Sequence, residues 1–225
     1  MANYLSAEDH ALISAAVQKA EGETSGEIVT ILAERSDGYT DVALAWSVLA
    51  GFTAIVALSL FPDFFLGLFD RLTGSWANQW TPGQIFALAA SVGIVMFVIV
   101  MLLQLWQPLK FFLVPGTIKS ARTRARALTC FRVGAERRTD IHTGILIYLS
   151  MQEHRAEIVA DLTIASRVPD AAWEDAMAAM IGHIREGRVA QGMAAAVAKV
   201  GVVLAQHCPR SDDDRNELPD RLIEV

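Results

Sequence analysis

Two apolar stretches in the middle of the chain limit what it can fold into. The first runs from about Val42 to Phe61 and the second from about Ile85 to Trp106, and neither contains a charged side chain or a histidine. Each reaches the ~20 apolar residues that an α-helix needs to cross the ~30 Å hydrocarbon core of a bilayer. Only a structure that satisfies its own backbone hydrogen bonds can do so. The pair predicts a transmembrane helical hairpin, with the flanks 1–41 and 107–225 emerging on one side. An ionisable residue inside a span marks a transport path, so these spans read as an anchor, and a two-span transporter or channel is disfavoured.

Basic residues beside the spans set the orientation. Lys110, Lys119, Arg122, Arg124, Arg126, Arg132, Arg137 and Arg138 follow the second span, with Glu136 as the acid among them. The inter-span loop, Pro62 to Gln84, offers Arg71 beside Asp63 and Asp70. The bias predicts an outer loop and two cytoplasmic flanks. Trp76, Trp80 and Trp106 mark span ends, and Phe61, Phe64, Phe65 and Phe69 populate the loop. Aromatic side chains favour the headgroup region, so the loop is expected to lie at the outer interface as a short amphipathic turn. The opening MANYLSAEDHALISAA has no basic start and no long apolar run, so no cleavable signal peptide is expected.

Without the hairpin roughly 160–180 residues remain, enough for one soluble domain. A net charge of −6 argues against a general nucleic-acid binder. Cys130 and Cys208 could form a disulfide, or remain two lone thiols as a reducing cytoplasm would favour.

Ser6, followed by Asp9, predicts a capped helix from about Ala7 to Glu21, ended by Gly22. Glu27 to Ala33 is rich in β-branched residues and reads as a buried strand. A basic helix is expected from about Ile118 to Glu136, then strands at Thr143–Ser150 and Arg155–Asp161 joined as an antiparallel hairpin. Helices at about 170–185 and 193–207 follow, with Gly187 and Gly192 bracketing their turn. The first strand must pair with strands more than a hundred residues later. Residues 1–41 and 107–210 are therefore expected to form one discontinuous α/β domain, with 42–106 as the hairpin and 211–225 as a polar tail containing Asp212, Asp213 and Asp214.

Several chemistries fail on spacing. Gly187 to Gly192 has phosphate-loop glycine spacing, but Met193 and Ala194 stand where Lys and Ser/Thr are needed. His10, His142, His154, His183 and His207 make no zinc pattern with the cysteines. Ser150 lacks a nucleophile elbow. Carboxylates remain. Asp161 and Glu27, each at a strand end, could bind Ca²⁺ or Mg²⁺ through hard oxygen ligands, and Asp140 could join them. Alternatively Asp161 caps the following turn and Glu27 pairs with Arg155. Lys119, Arg122, Arg124 and Arg126 could contact anionic lipid head groups, or the helix could be solvated and its arginines merely enforce topology. Small residues such as Ala50, Gly51, Ala54, Ala89, Ala90 and Gly93 permit close packing, within the hairpin or between copies as a homo-oligomer.

The segments Thr143–Ser150 and Arg155–Asp161, followed by Val168-Pro169 and Trp173, resemble the TPM domain family. Gly187 and Gly192 match its paired glycines, Thr24 to Thr30 fits its first strand, and Asn216-Glu217-Leu218-Pro219 looks like the closing motif of its membrane-anchored bacterial branch. The resemblance implies a three-layer α/β sandwich around a small mixed sheet, here interrupted by the two-helix hairpin. It implies an accessory protein of the bacterial inner (plasma) membrane that binds or assists another membrane protein. It also implies, as an alternative, a weak divalent-metal-dependent acid phosphatase. Asp161 is followed by Leu162-Thr163-Ile164, where the family carries a glycine-containing turn.

Overall fold

The computed structural model describes residues 4–74, 80–134, 144–210 and 220–225. Trp76, Glu136, Arg137, Arg138, Asp140, His142, Thr143, Asp212 to Asp214 and Asn216 to Pro219 lie outside the described residues. The chain divides into two compact units, one from 1–37 with 116–225 and the other from 38–115. The stretch 107–115, read from sequence as part of the soluble domain, belongs to the second unit.

The first unit is mixed α/β around a four-stranded sheet. Helix α1 (Ala7–Glu21) starts at Ser6, whose hydroxyl accepts from the Asp9 amide while the Asp9 side chain accepts from the Ser6 amide. That reciprocal pair satisfies two of the donors a helix start leaves open. The strands are β1 (Glu27–Ala33), β2 (Gly144–Ser150), β3 (Arg155–Ala160) and β4 (Ile223–Glu224), in the order β3-β2-β1-β4. β1 runs parallel to β2 and β4, and β2 runs antiparallel to β3. β4 and the buried Leu222 lie inside the segment read as a polar tail.

Both faces of β1 and β2 are apolar, as strands covered on two sides must be. Ile28, Leu32, Ile145, Ile147 and Leu149 turn to one face, where they pack with α1, α8 (Asp170–Arg185) and α9 (Val189–His207). Val29, Ile31, Ala33, Leu146 and Tyr148 turn to the other, against Ala127 and Phe131 of α6 (Gly116–Gly134). A one-turn helix, α7 (Leu162–Ala165), follows β3. Between α8 and α9, Gly187 adopts a positive φ of 78° and makes the helix–helix turn, whereas Gly192, expected to bracket that turn, lies inside α9, where an added Cβ would stand 2.8 Å from the Met180 carbonyl oxygen.

The second unit holds α2 (Thr40–Leu60), α3 (Pro62–Thr73), α4 (Pro82–Leu103) and α5 (Gln107–Leu113). A capping box of Thr81 and Gln84, with Pro82 in the first turn, starts α4 three residues before its apolar run. α2 and α4 pack closely. A Cβ added to Gly93 would stand 2.7 Å from the Ile55 side chain. Gln104 supports the pair, its amide donating to the Ala43 carbonyl at 3.0 Å and to the Ser47 hydroxyl at 3.2 Å.

Among the described residues, α2, α4 and α9 are long and apolar enough to cross a membrane. They differ in where their apolar side chains go. α9 buries Met193, Ala196, Val197, Val200 and Leu204 in the core of the first unit. On α2 and α4, Phe52, Leu60, Phe86, Ile94 and Leu102 are exposed.

Candidate functional site

The register of the sheet collects carboxylates at one end. Glu27 pairs with Gly144, and the Asp161 amide donates to the Gly144 carbonyl at 3.0 Å. Glu27 and Asp161 therefore flank the first residue of β2, which has no side chain. Strand alternation sends both carboxylates toward the α6 face, where Val29, Leu146 and Val159 pack two residues further in. The two candidate metal ligands thus come to one edge, with strand spacings that put their backbones about 10 Å apart. Both carry hard oxygen donors of the kind Ca²⁺ and Mg²⁺ take. Among the described residues no group of three or more His, Cys, Asp or Glu side chains is placed to hold an ion.

The alternative partners weighed from sequence resolve differently. Arg155 opens β3 opposite Ser150, at the far end of the sheet from Glu27, and its Nε donates to the Ser120 hydroxyl at 3.1 Å. Asp161 does precede a helical turn, but the described contacts there are made by its backbone: its carbonyl accepts from the amides of Ile164 and Ala165.

Glu21 and Asp220 join this end and were not singled out in the sequence. Glu21 closes α1, and its Oε1 accepts from the Ile28 amide at 2.8 Å. Its other carboxyl oxygen is buried. Burial pushes its pKa up to about 8, against the lowering effect of the Ile28 amide and with help from Glu27 and from Asp220, which shares a hydrogen bond with it. A carboxyl at a helix C-terminus also opposes the macrodipole, and that position was the one available sequence signal.

At the opposite end, where the chain leaves for the second unit, a second polar group is assembled. Glu153 is 2% exposed, accepts from the Ser36 amide at 2.8 Å and from the Ser150 hydroxyl, and so fixes the exit of β1. The Ser36 hydroxyl lies 3.2 Å from the Tyr148 hydroxyl and 3.4 Å from that of Thr123. Burial raises the Tyr148 pKa.

The basic face of α6 is partly engaged by protein. Arg122 pairs with Asp37, and Arg124 lies 3.7 Å from the carboxylate of Glu157, whose pKa burial raises. Arg126 is exposed and Lys119 half-buried. Of the residues proposed from sequence to meet lipid, Arg122 and Arg124 have these acidic neighbours.

Residues 111–203 match the family model for the TPM domain. Among solved structures the fold is similar to the NMR structure of the BA42 protein from the psychrophilic bacterium Bizionia argentinensis. The TM-score is 0.57 at 18% identity, over 100% of this chain and 98% of that one. At that identity the likeness concerns the fold alone. No curated protein matches. The matched residues contain α6, β2, β3 and α8, and the structure completes their sheet with β1 and β4 from outside the match: it is over residues 111–203 that the chain is similar to the TPM domain family.

Proposed function

We propose that this chain is a membrane-anchored TPM-domain accessory protein, non-enzymatic, whose α/β domain binds another membrane protein at the cytoplasmic face of the bacterial inner membrane. In this reading α2 and α4 are the two spans and α9 is a core helix. The observation that carries it is the contrast between them: α9 is packed into the α/β core, whereas Phe52, Phe86 and Ile94 stand 64%, 75% and 65% exposed on α2 and α4. Side chains of that size, contiguous along two adjacent helices, call for an apolar surrounding. The basic residues after α4 supply the orientation.

Membrane fractionation with alkaline extraction, followed by protease treatment of spheroplasts, tests the anchor. The chain should stay with the membrane and its α/β domain should resist protease added outside. Release by alkali, or digestion of the domain from outside, would refute anchor or orientation. Photo-crosslinkers placed at Arg126 and other exposed α6 positions should then trap a discrete membrane-protein partner in cells. Diffuse lipid adducts at every position would count against the partner.

A second reading, a divalent-ion site supporting phosphate-ester hydrolysis, is favoured by the alignment of Glu27 and Asp161 across Gly144. The bound ion would supply Lewis-acid chemistry, and these carboxylates would hold it. Calorimetric titration with Ca²⁺ and Mg²⁺ should show saturable heat that Asp161→Ala abolishes. No heat in either protein would dismiss this reading.

A further inference from the structure

Helix α3, inside the loop between the two apolar helices, has an apolar face that the described residues of its own unit leave mostly exposed. Phe61, Phe64, Phe65, Leu68, Phe69 and Leu72 fall at the spacing i, i+3, i+4, i+7, i+8, i+11. At 100° per residue they occupy an arc of about 140°. The opposite arc carries Asp63, Gly67 and Asp70 together with Pro62, Leu66 and Thr73, with Arg71 at its border. No residue of α3 is buried, and Phe64 and Leu72 are 67% and 78% exposed.

Twelve residues at 1.5 Å each give about 18 Å, far short of a bilayer core. The helix therefore does not span. Its ends are tied to the two long helices. Pro62 starts it one residue beyond the last turn of α2, with Phe61 between them. Near its other end the Trp80 indole donates to the Asp70 carboxylate at 3.3 Å, and its ring meets Phe69 edge-on at 5.5 Å between centroids. Trp80 sits two residues before α4 begins. The apolar face of α3 is thus held where the apolar surfaces of α2 and α4 end.

We infer that α3 is an in-plane membrane helix, lying in the headgroup region with its phenylalanine face on the acyl chains and setting the depth of the hairpin. This rests on the reading of α2 and α4 as spans. The occupant of the face is bilayer lipid, since α3 is tied at both ends to the two spans and its Trp80 clamp is of the interfacial aromatic type. Two acids and one arginine give no attraction to anionic lipid, so α3 enters a zwitterionic bilayer as readily as an anionic one and high salt does not displace it. The tether makes its insertion intramolecular, and electrostatic recruitment is unnecessary.

Environment-sensitive fluorophores test this in the full-length chain, with Cys130→Ser and Cys208→Ser removing the native thiols. Labels at Phe64→Cys and Leu72→Cys report the apolar arc, at Asp63→Cys the polar arc, and at Val95→Cys the middle of α4. In phosphatidylcholine vesicles carrying spin-labelled lipid, the label at 95 should lose emission to a deep quencher. Those at 64 and 72 should lose it to a shallow quencher, and that at 63 to a water-soluble one. If 95 is quenched deep while 64 and 72 answer only the water-soluble quencher, the in-plane helix is refuted and the anchor stands. If 64 and 72 are shielded from both quenchers, protein covers the face and the inference fails. If 95 escapes the deep quencher, the spans fail and this inference falls with them.

Discussion

At the end of α1 the Glu21 carboxyl faces its own helix terminus, and burial beside Glu27 and Asp220 holds its pKa near 8, against an ordinary 4.5. The folded chain therefore keeps a proton that the unfolded chain releases. By linkage, the Glu21 contribution to stability falls as pH rises from about 4.5 to about 8 and is constant above and below that window. Glu21→Gln keeps an acceptor for the Ile28 amide and removes the ionisation. Thermal melts should find it more stable than wild type at pH 8, on the order of 2 kcal/mol after allowance for solvent screening of this half-buried group, and equal to wild type at pH 4. A parallel pH dependence in both proteins would refute the assignment. In sequence, Glu27 and Asp161 are legible because each ends a run of strand-forming residues. Glu21 and Asp220 are not, since only the pairing of β1 with β4 brings them together.

Among the elements, α2 and α4 could be read from composition to within a few residues, and β1, β2 and β3 from their β-branched content. β4 could not: two residues, Ile223 and Glu224, carry no periodicity, and their strand exists because β1 pairs with it, the Leu32 carbonyl accepting from the Val225 amide and the Glu34 amide donating to the Val225 carbonyl. α9 was legible as a helix, yet its composition alone does not separate it from a span; Leu204, packed against Gly26, and Gly201, packed against Ala20, place it in the core. Gln104 and Ser47 are buried polar residues between α2 and α4. Replacing Gln104 with leucine removes its bonds to Ala43 and Ser47. Within hydrocarbon such a bond contributes about 0.6–1.7 kcal/mol. Gln104→Leu should loosen the hairpin by about 1 kcal/mol in unfolding by denaturing detergent, while the melt of the α/β domain stays unchanged.

For the whole molecule, β1 and β2 are neighbours in one sheet although the second unit lies between them in the chain. Asp37, at the exit from β1, pairs with Arg122 in the second turn of α6. The two chain ends that lead into 38–115 are thus close within the first unit, and a short Gly/Ser linker joining 37 to 116 can bridge them. That chain should be water-soluble and melt cooperatively, and removal of 1–37 as well should abolish the transition. A cooperative melt without 1–37 would refute the claim that β1 completes the sheet.

The parallel pairing of β1 with β2 has a consequence for biogenesis. β1 leaves the ribosome before the second unit and β2 after it, so if α2 and α4 are the two spans, as proposed, the sheet closes only when both have inserted and returned the chain to its starting side. A molecule with one span inserted would strand its two central strands in different compartments. We therefore expect Gly93→Arg, which places a charge in α4, to yield a short-lived protein whose half-life in a pulse–chase falls well below that of wild type. In the linker-joined soluble chain no such checkpoint operates, and completion of the fold no longer reports on insertion.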